Sequence, residues 1–429
     1  MRVGAAKPQT GKSTDQERAG TSLLRQPAAV WVIAFATVVS FMGIGLVDPI
    51  LPSIAEKLHA TQTQSELLFT TYLALTGVAM FFTSWVSSRI GVKKTLLIGL
   101  VLVVAFAALC GLSPAVAPII GFRAGWGIGN ALFVSTALAA MVSAASGGSA
   151  AAIILYECAL GVGMAIGPLT GGLLGSFTWR APFFGTVTLM AIGAVLIAIM
   201  LHTTGKKKLH AEPVKLSAPF KALRDPGMGT MGVSAFFYNM AFFTSLAFPP
   251  FALARLGVAD AITIGLVFFG WGSLLAVSAV FVAPRLTRVL RRTTVLLGAE
   301  VLLACVLIAC ALLVNSLPGL MVTVMLAGVP LGLLNTVLTE CSMEASTLPR
   351  PVASSTYSGC RFLGGAIAPP LCTYLAGVTT VAMPFFYGAA MIMVSALVIL
   401  IGRKALARAD GIPDVQLGER LALRSATPA

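Results

Sequence analysis

The chain has 429 residues, 57% of them hydrophobic and only 10% charged, whereas soluble domains carry about 25% charge. That balance excludes a soluble multidomain protein, a disordered chain and a disulfide scaffold. A net charge of +14 would suit nucleic acid, but the basic residues sit in short loops between apolar runs, so no nucleic-acid partner is expected.

A bilayer-spanning helix needs roughly 20 mostly apolar residues. In chain order such runs fall at 30–53, 66–87, 95–113, 116–142, 150–175 and 181–201, then at 229–253, 262–283, 294–314, 318–341, 352–376 and 381–402. The sequence predicts an all-α membrane protein with twelve transmembrane helices in two six-helix bundles. Its parts are a tail (1–28), an N-terminal bundle (29–202), a linker (203–228), a C-terminal bundle (229–402) and a second tail (403–429). No signal peptide is visible, and both tails read as loose polar segments.

With the N-terminus inside, 24 of the 29 Lys and Arg residues fall on the inner side, against three (Lys57, Arg180, Arg255) outside. The positive-inside rule then predicts that both termini are cytoplasmic. Seven cysteines lie in or beside apolar runs without a CxxC pair, and His59, His202 and His210 have no metal-ligand spacing. No cofactor, no metal and no enzymatic chemistry are expected.

The halves repeat each other. Tyr156, Gly163, Ala165, Ile166 and Pro168 in span five match Tyr357, Gly364, Ala366, Ile367 and Pro369 in span eleven at an offset of 201. The basic loops at Arg89, Lys93 and Lys94 and at Arg285, Arg291 and Arg292 correspond as well. A parallel six-plus-six repeat, with the bundles related by a pseudo-two-fold axis, suits a transporter that rocks two halves around a central site.

Span five carries Gly163-x-x-x-Gly167-Pro168-x-x-Gly171-Gly172, and span one ends Gly43-x5-Pro49-x-x-Pro52. Span four holds Arg123-x-x-x-Gly127-x-Gly129-x-Ala131, and the loop after span two keeps Arg89, Gly91 and Lys93. Over roughly residues 29–402 the chain resembles the major facilitator superfamily, in its twelve-helix drug:proton antiporter branch. The resemblance implies an antiporter motif in span five, a proton-linked motif in span four and a cytoplasmic gate at Arg89, Gly91 and Lys93. Trp126 stands where that family has glutamine, and Ser84, Ser88 and Val92 replace its gating glycine, aspartate and second arginine.

Charge inside hydrocarbon is costly, about 2.5–3.5 kcal/mol per residue on the lenient scale. Asp48, Arg123, Glu157, Glu300, Glu340 and Arg361 therefore stand out. At about 1.5 Å per residue, Asp48 and Arg123 lie level in the outer half of their spans. In the family fold both helices face the central cavity, so these two are the expected proton-responsive pair, unless Asp48 merely caps its helix.

Glu157 lies too deep to pair with Arg123. It is a second proton site, a counter-charge for cationic substrates, or a carboxylate bonded within its own half. Glu340 is expected to bridge to Arg285, Arg288, Arg291 or Arg292, Glu300 to snorkel to the interface, and Arg361 has no assignable partner. Phe236, Tyr238, Asn239 and Met240 in span seven, with Asn335 and Arg361, are the substrate-cavity candidates.

The resemblance implies a proton-coupled exporter of small lipophilic or cationic compounds in the cell membrane. Its expected partners are a small-molecule substrate, protons and the lipid bilayer, and it is expected to work as a monomer. The alternatives are export of one metabolite or siderophore, proton-coupled uptake, or a membrane sensor that moves nothing.

Overall fold

A computed structural model of the chain describes residues 26–46, 50, 54, 56–146, 148–201, 214–258 and 260–410. Helices dominate because a backbone in hydrocarbon must satisfy its own hydrogen bonds, and no strand occurs among the described residues. The first bundle contains α1 (Ala28–Gly45), α2 (Gln62–Ile90), α3 (Val92–Leu112), α4 (Val116–Ala144), α5 (Gly148–Gly175) and α6 (Ala181–Met200). Gly91 joins α2 to α3 at φ +89°, a conformation that needs glycine.

In the second bundle, prolines interrupt two spans. α7 runs over Pro226–Ala247, breaks before Pro249-Pro250 and resumes as Pro249–Arg255. α10 runs over Leu317–Leu326, turns at Ala327 and continues as Gly328–Glu344, with Pro330 unable to bond back to the first piece. α8 comprises Ala261–Val277, a π turn at Ser278–Val282 and Ala283–Val289. α9 (Arg292–Leu312), α11 (Arg350–Val378) and α12 (Met383–Gly402) complete the set.

Eleven of the twelve are long and apolar enough to cross a membrane. α11 is the exception, for a visible reason. Ser354, Ser355, Thr356, Ser358 and Arg361 on it are all buried by protein and never meet lipid.

The bundles reproduce each other in contacts. α1 packs on α5 as α7 packs on α11, and α3 packs on α6 as α9 packs on α12. The halves meet along two symmetry-related seams, α2 on α11 and α5 on α8.

Both ends of the folded chain dock. The Gln26 side chain donates to Ser146 O at 2.7 Å and accepts from Ser146 N at 2.9 Å, clipping the α4–α5 turn. After α12, Leu406 and Ala409 are buried, and Asp410 accepts from Thr293 N and Oγ1 at 3.0 and 2.6 Å. The expectation of loose tails therefore fails over 403–410: a carboxylate at the start of α9 satisfies one orphan N–H there, that of Thr293.

Candidate functional site

Glycines set the distance between α5 and α1. A Cβ on Gly163 would strike Val38 O, one on Gly167 would lie 2.7 Å from Met42 O, and one on Gly171 would strike Leu46 O. The helices therefore approach to backbone contact, as small residues allow. Gly364 does the same against Phe236 O between α11 and α7. These seams bring the middles of four helices, α1, α5, α7 and α11, to the centre.

There the structure closes on a small void lined by Phe41 from α1, Met164 from α5, Asn239, Phe242 and Phe243 from α7, and Arg361 from α11. Its volume is about 10 Å³, on the order of one water molecule.

Arg361 lies at the heart of a polar cluster. Its Nη1 is 3.8 Å from Glu157 Oε1, an ion pair joining the two bundles. Its Nη2 donates to Asn335 Oδ1 at 2.5 Å, and Tyr238 Oη donates to the same oxygen at 2.6 Å. Thr339 Oγ1 donates to Glu157 Oε1 at 2.7 Å. Glu157 is fully buried, and its Oε2 has no hydrogen-bond partner among the described residues. Both partners of Glu157 belong to the opposite half, and among the described residues it is not bonded within its own half. The partner that sequence could not assign to Arg361 is Glu157.

Of the cavity candidates, Asn239 and Arg361 line the void, while Tyr238 and Asn335 stand behind Arg361. Met240 is buried away from the void, and Phe236 is half-buried against Phe237. Phe41, Met164 and Thr339 were not picked out from the sequence, since apolar residues in membrane helices and a lone threonine carry no distinguishing pattern.

Arg123 is fully buried on α4, one helix away. Its Nε donates to Leu68 O at 3.1 Å, and the guanidinium lies 4.4 Å over the Tyr72 ring and 4.8 Å over the Trp126 ring. The tryptophan that replaces the family glutamine thus supplies an aromatic face, an arrangement that attracts a guanidinium. Asp48, Pro49 and Pro52 lie outside the described residues.

The loop after α2 is held differently from a charge network. Lys93 Nζ donates to Ala198 O at 2.7 Å, Arg89 sits over Trp85, and Ser88 Oγ accepts from Val214 N of the linker at 3.3 Å. The charge network sits instead at the corresponding place in the second bundle. Arg292 pairs with Glu340 at 3.3 Å and Glu344 at 2.7 Å, and also donates to Ala409 O. Arg292 is thus the residue that meets Glu340.

Glu300 departs from expectation. It is fully buried, accepts from Ser395 Oγ at 2.5 Å and does not reach the interface. Its position on the face of α9 that packs against α12 leaves no path outward for the side chain.

Residues 33–369 match the family model described as Major Facilitator Superfamily. The chain is 47% identical over 394 residues to a Bacillus subtilis protein named multidrug efflux protein YfmO, covering 92% of this chain and 98% of that one. Over 182 residues it is 29% identical to the tetracenomycin C resistance and export protein of Streptomyces glaucescens, 41% of this chain and 34% of that one. Among solved structures, the human organic anion transporter MFSD10 aligns with a TM-score of 0.71 at 15% identity, over 87% of this chain and 99% of that one, a likeness of fold.

Proposed function

Because the chain belongs to the Major Facilitator Superfamily, and so is a multi-pass transporter of the cell membrane, we propose that it exports small lipophilic compounds in exchange for protons. The observation that carries this reading is the buried ion pair between Glu157 and Arg361, which joins the bundles beside a central void. An ion pair out of water survives only while both partners keep their charge, since one charge left alone is costly. A proton arriving on Glu157 removes that tie, and its departure restores it. Proton occupancy thus biases whether the halves hold together at the central layer.

Substrate meets the same layer. Phe41, Phe242, Phe243 and Met164 offer an adaptable apolar surface. A cationic group competes with Arg361 for Glu157, so cargo and proton exclude each other at one carboxylate. The Bacillus relative's name, multidrug efflux, and the glycine motif of α5 support the outward direction and a broad substrate range. We keep Asp48 and Arg123 as a second proton-responsive pair nearer the outer face, a reading supported by the aromatic faces of Tyr72 and Trp126, which offer the guanidinium a hold while its partner changes.

The test uses purified protein in weakly buffered detergent. Adding a lipophilic cation should release protons, and Glu157→Gln should release fewer. If no protons leave, and a pH gradient drives no accumulation in proteoliposomes, exchange is excluded while the transporter fold stands.

A further inference from the structure

The central mechanism leaves one buried carboxylate unused. Glu300 lies eight residues into α9, about 12 Å along its axis. Leu296 and Leu303 beside it are fully buried, as Glu300 itself is. Oε1 accepts from Ser395 Oγ on α12, and Oε2 has no hydrogen-bond partner among the described residues. The ion pairs among the described residues are Arg292 with Glu340 and Glu344, and Glu157 with Arg361; Glu300 is in none of them.

From these contacts we infer that Glu300 is a further proton-binding site, enclosed within the C-terminal bundle, whose occupancy is felt by α7.

The hydrogen-bond arithmetic supports this. Ser395 Oγ stands 2.8 Å from Ser234 Oγ and 3.1 Å from Ser234 O on α7, besides its contact with Glu300. A hydroxyl has one proton to give. With Glu300 ionised, Ser395 must donate to the carboxylate, and Ser234 O receives nothing from it. With Glu300 protonated, the acid O–H donates to Ser395, whose own proton is released to Ser234. The proton on Glu300 therefore decides which way the chain from α9 through α12 to α7 points. With no cation among the pairs described, that proton is also what makes the carboxyl neutral in its apolar surroundings.

One turn along α7 from Ser234 stands Tyr238, which donates to Asn335 Oδ1, the oxygen that also accepts from Arg361. The next residue, Asn239, lines the void. A shift of α7 at Ser234 is thus delivered to the central cluster. The other ionisable side chains on the packed elements are Tyr238 and Arg255 on α7, Tyr387 on α12, Arg292, Cys305 and Cys310 on α9, and Glu340, Cys341 and Glu344 on α10, the two glutamates being held by Arg292.

The inference needs no particular substrate or direction of export, so its test is separate. The full-length protein in lipid nanodiscs is titrated while infrared difference spectra follow the C=O stretch of protonated carboxyls. Wild type should show a buried carboxyl band that disappears as pH rises, and Glu300→Gln should lose that band while Glu157→Gln retains it. Ser395→Ala, which keeps the carboxyl and removes its donor, should move the same band in frequency and titration midpoint. It serves as the readout should Glu300→Gln not fold. Spectra of Glu300→Gln that match wild type, or a Ser395→Ala variant with no band shift, would overturn the assignment.

Discussion

At Glu157, a single side chain holds contacts to two residues of the other bundle, Arg361 and Thr339. Glu157→Gln keeps the size and an oxygen for Thr339 but leaves Arg361 without its counter-charge. Breaking a buried pair from one side costs about 3–5 kcal/mol, so the variant should unfold at lower temperature. Glu157→Gln with Arg361→Gln, which leaves no orphan charge, should recover most of that loss. Neither variant should build a concentration gradient of dye against a pH gradient in proteoliposomes, though both should let dye equilibrate downhill. Wild-type uphill transport by either would remove Glu157 from the coupling. Arg123 makes a different demand. Its planar guanidinium stacks on Tyr72 and Trp126, and an ammonium cannot reproduce that geometry. Arg123→Lys should therefore cost on the order of 2 kcal/mol of cage interaction and slow transport at least tenfold. A lysine variant with wild-type turnover would show that the aromatic cage has no part in the cycle.

Between helices, backbone contact replaces side-chain packing wherever glycine permits it, and the contrast within one family of residues is testable. A Cβ on Gly163 strikes Val38 O, while a Cβ on Gly121 of α4 meets nothing within 4 Å. Gly163→Ala should destabilise by about 1–3 kcal/mol as an overpacked interface. Gly121→Ala should be neutral or slightly stabilising, because alanine is the better helix former. Equal melting temperatures for the two would mean that the α1–α5 seam is not close-packed. These elements were largely legible in the sequence. Length and apolarity place all twelve spans in the sequence, 352–376 among them, and the Tyr156-to-Pro168 repeat supports α11 independently, the least apolar of the set because its serines and Arg361 face protein. The central pair was half legible. Depth along the helix separated Glu157 from Arg123, but the meeting of Glu157 with Arg361 depends on how two bundles dock, and a one-dimensional ruler does not contain that. Glu300 was misread for the same reason. Nearness to a helix end suggests snorkelling, whereas the face it occupies points it at Ser395.

Across the whole molecule the two seams seal the centre from opposite ends. α5 meets α8 from the middle towards the far end, where a Cβ on Gly265 would touch Leu169. α2 meets α11 from the middle towards the end bearing the basic loops, where a Cβ on Gly77 would lie 2.8 Å from Leu363 N and Phe81 covers Gly359. That basic end is further fastened. Ser354 Oγ on α11 donates to Ser135 O on α4 at 3.1 Å, and Thr356 donates to Pro219 O of the linker helix Ala218–Ala222. Phe220 of that helix stacks on Phe81 at 5.2 Å. Small-molecule pockets run to about 300–1,000 Å³, far beyond the void present, so the halves have to part before cargo enters. If cargo is loaded from the basic end, as the charge asymmetry implies for an exporter, the α4–α11 contact must open in every cycle. Ser135→Cys combined with Ser354→Cys, in a background without the native cysteines, places two thiols across it. A short thiol-reactive cross-linker should then stop transport completely, a reducible version should restore it on reduction, and either single cysteine should be unaffected. Full transport by the cross-linked protein would mean that loading proceeds without separation at this contact, and that the opening lies on the α5–α8 side.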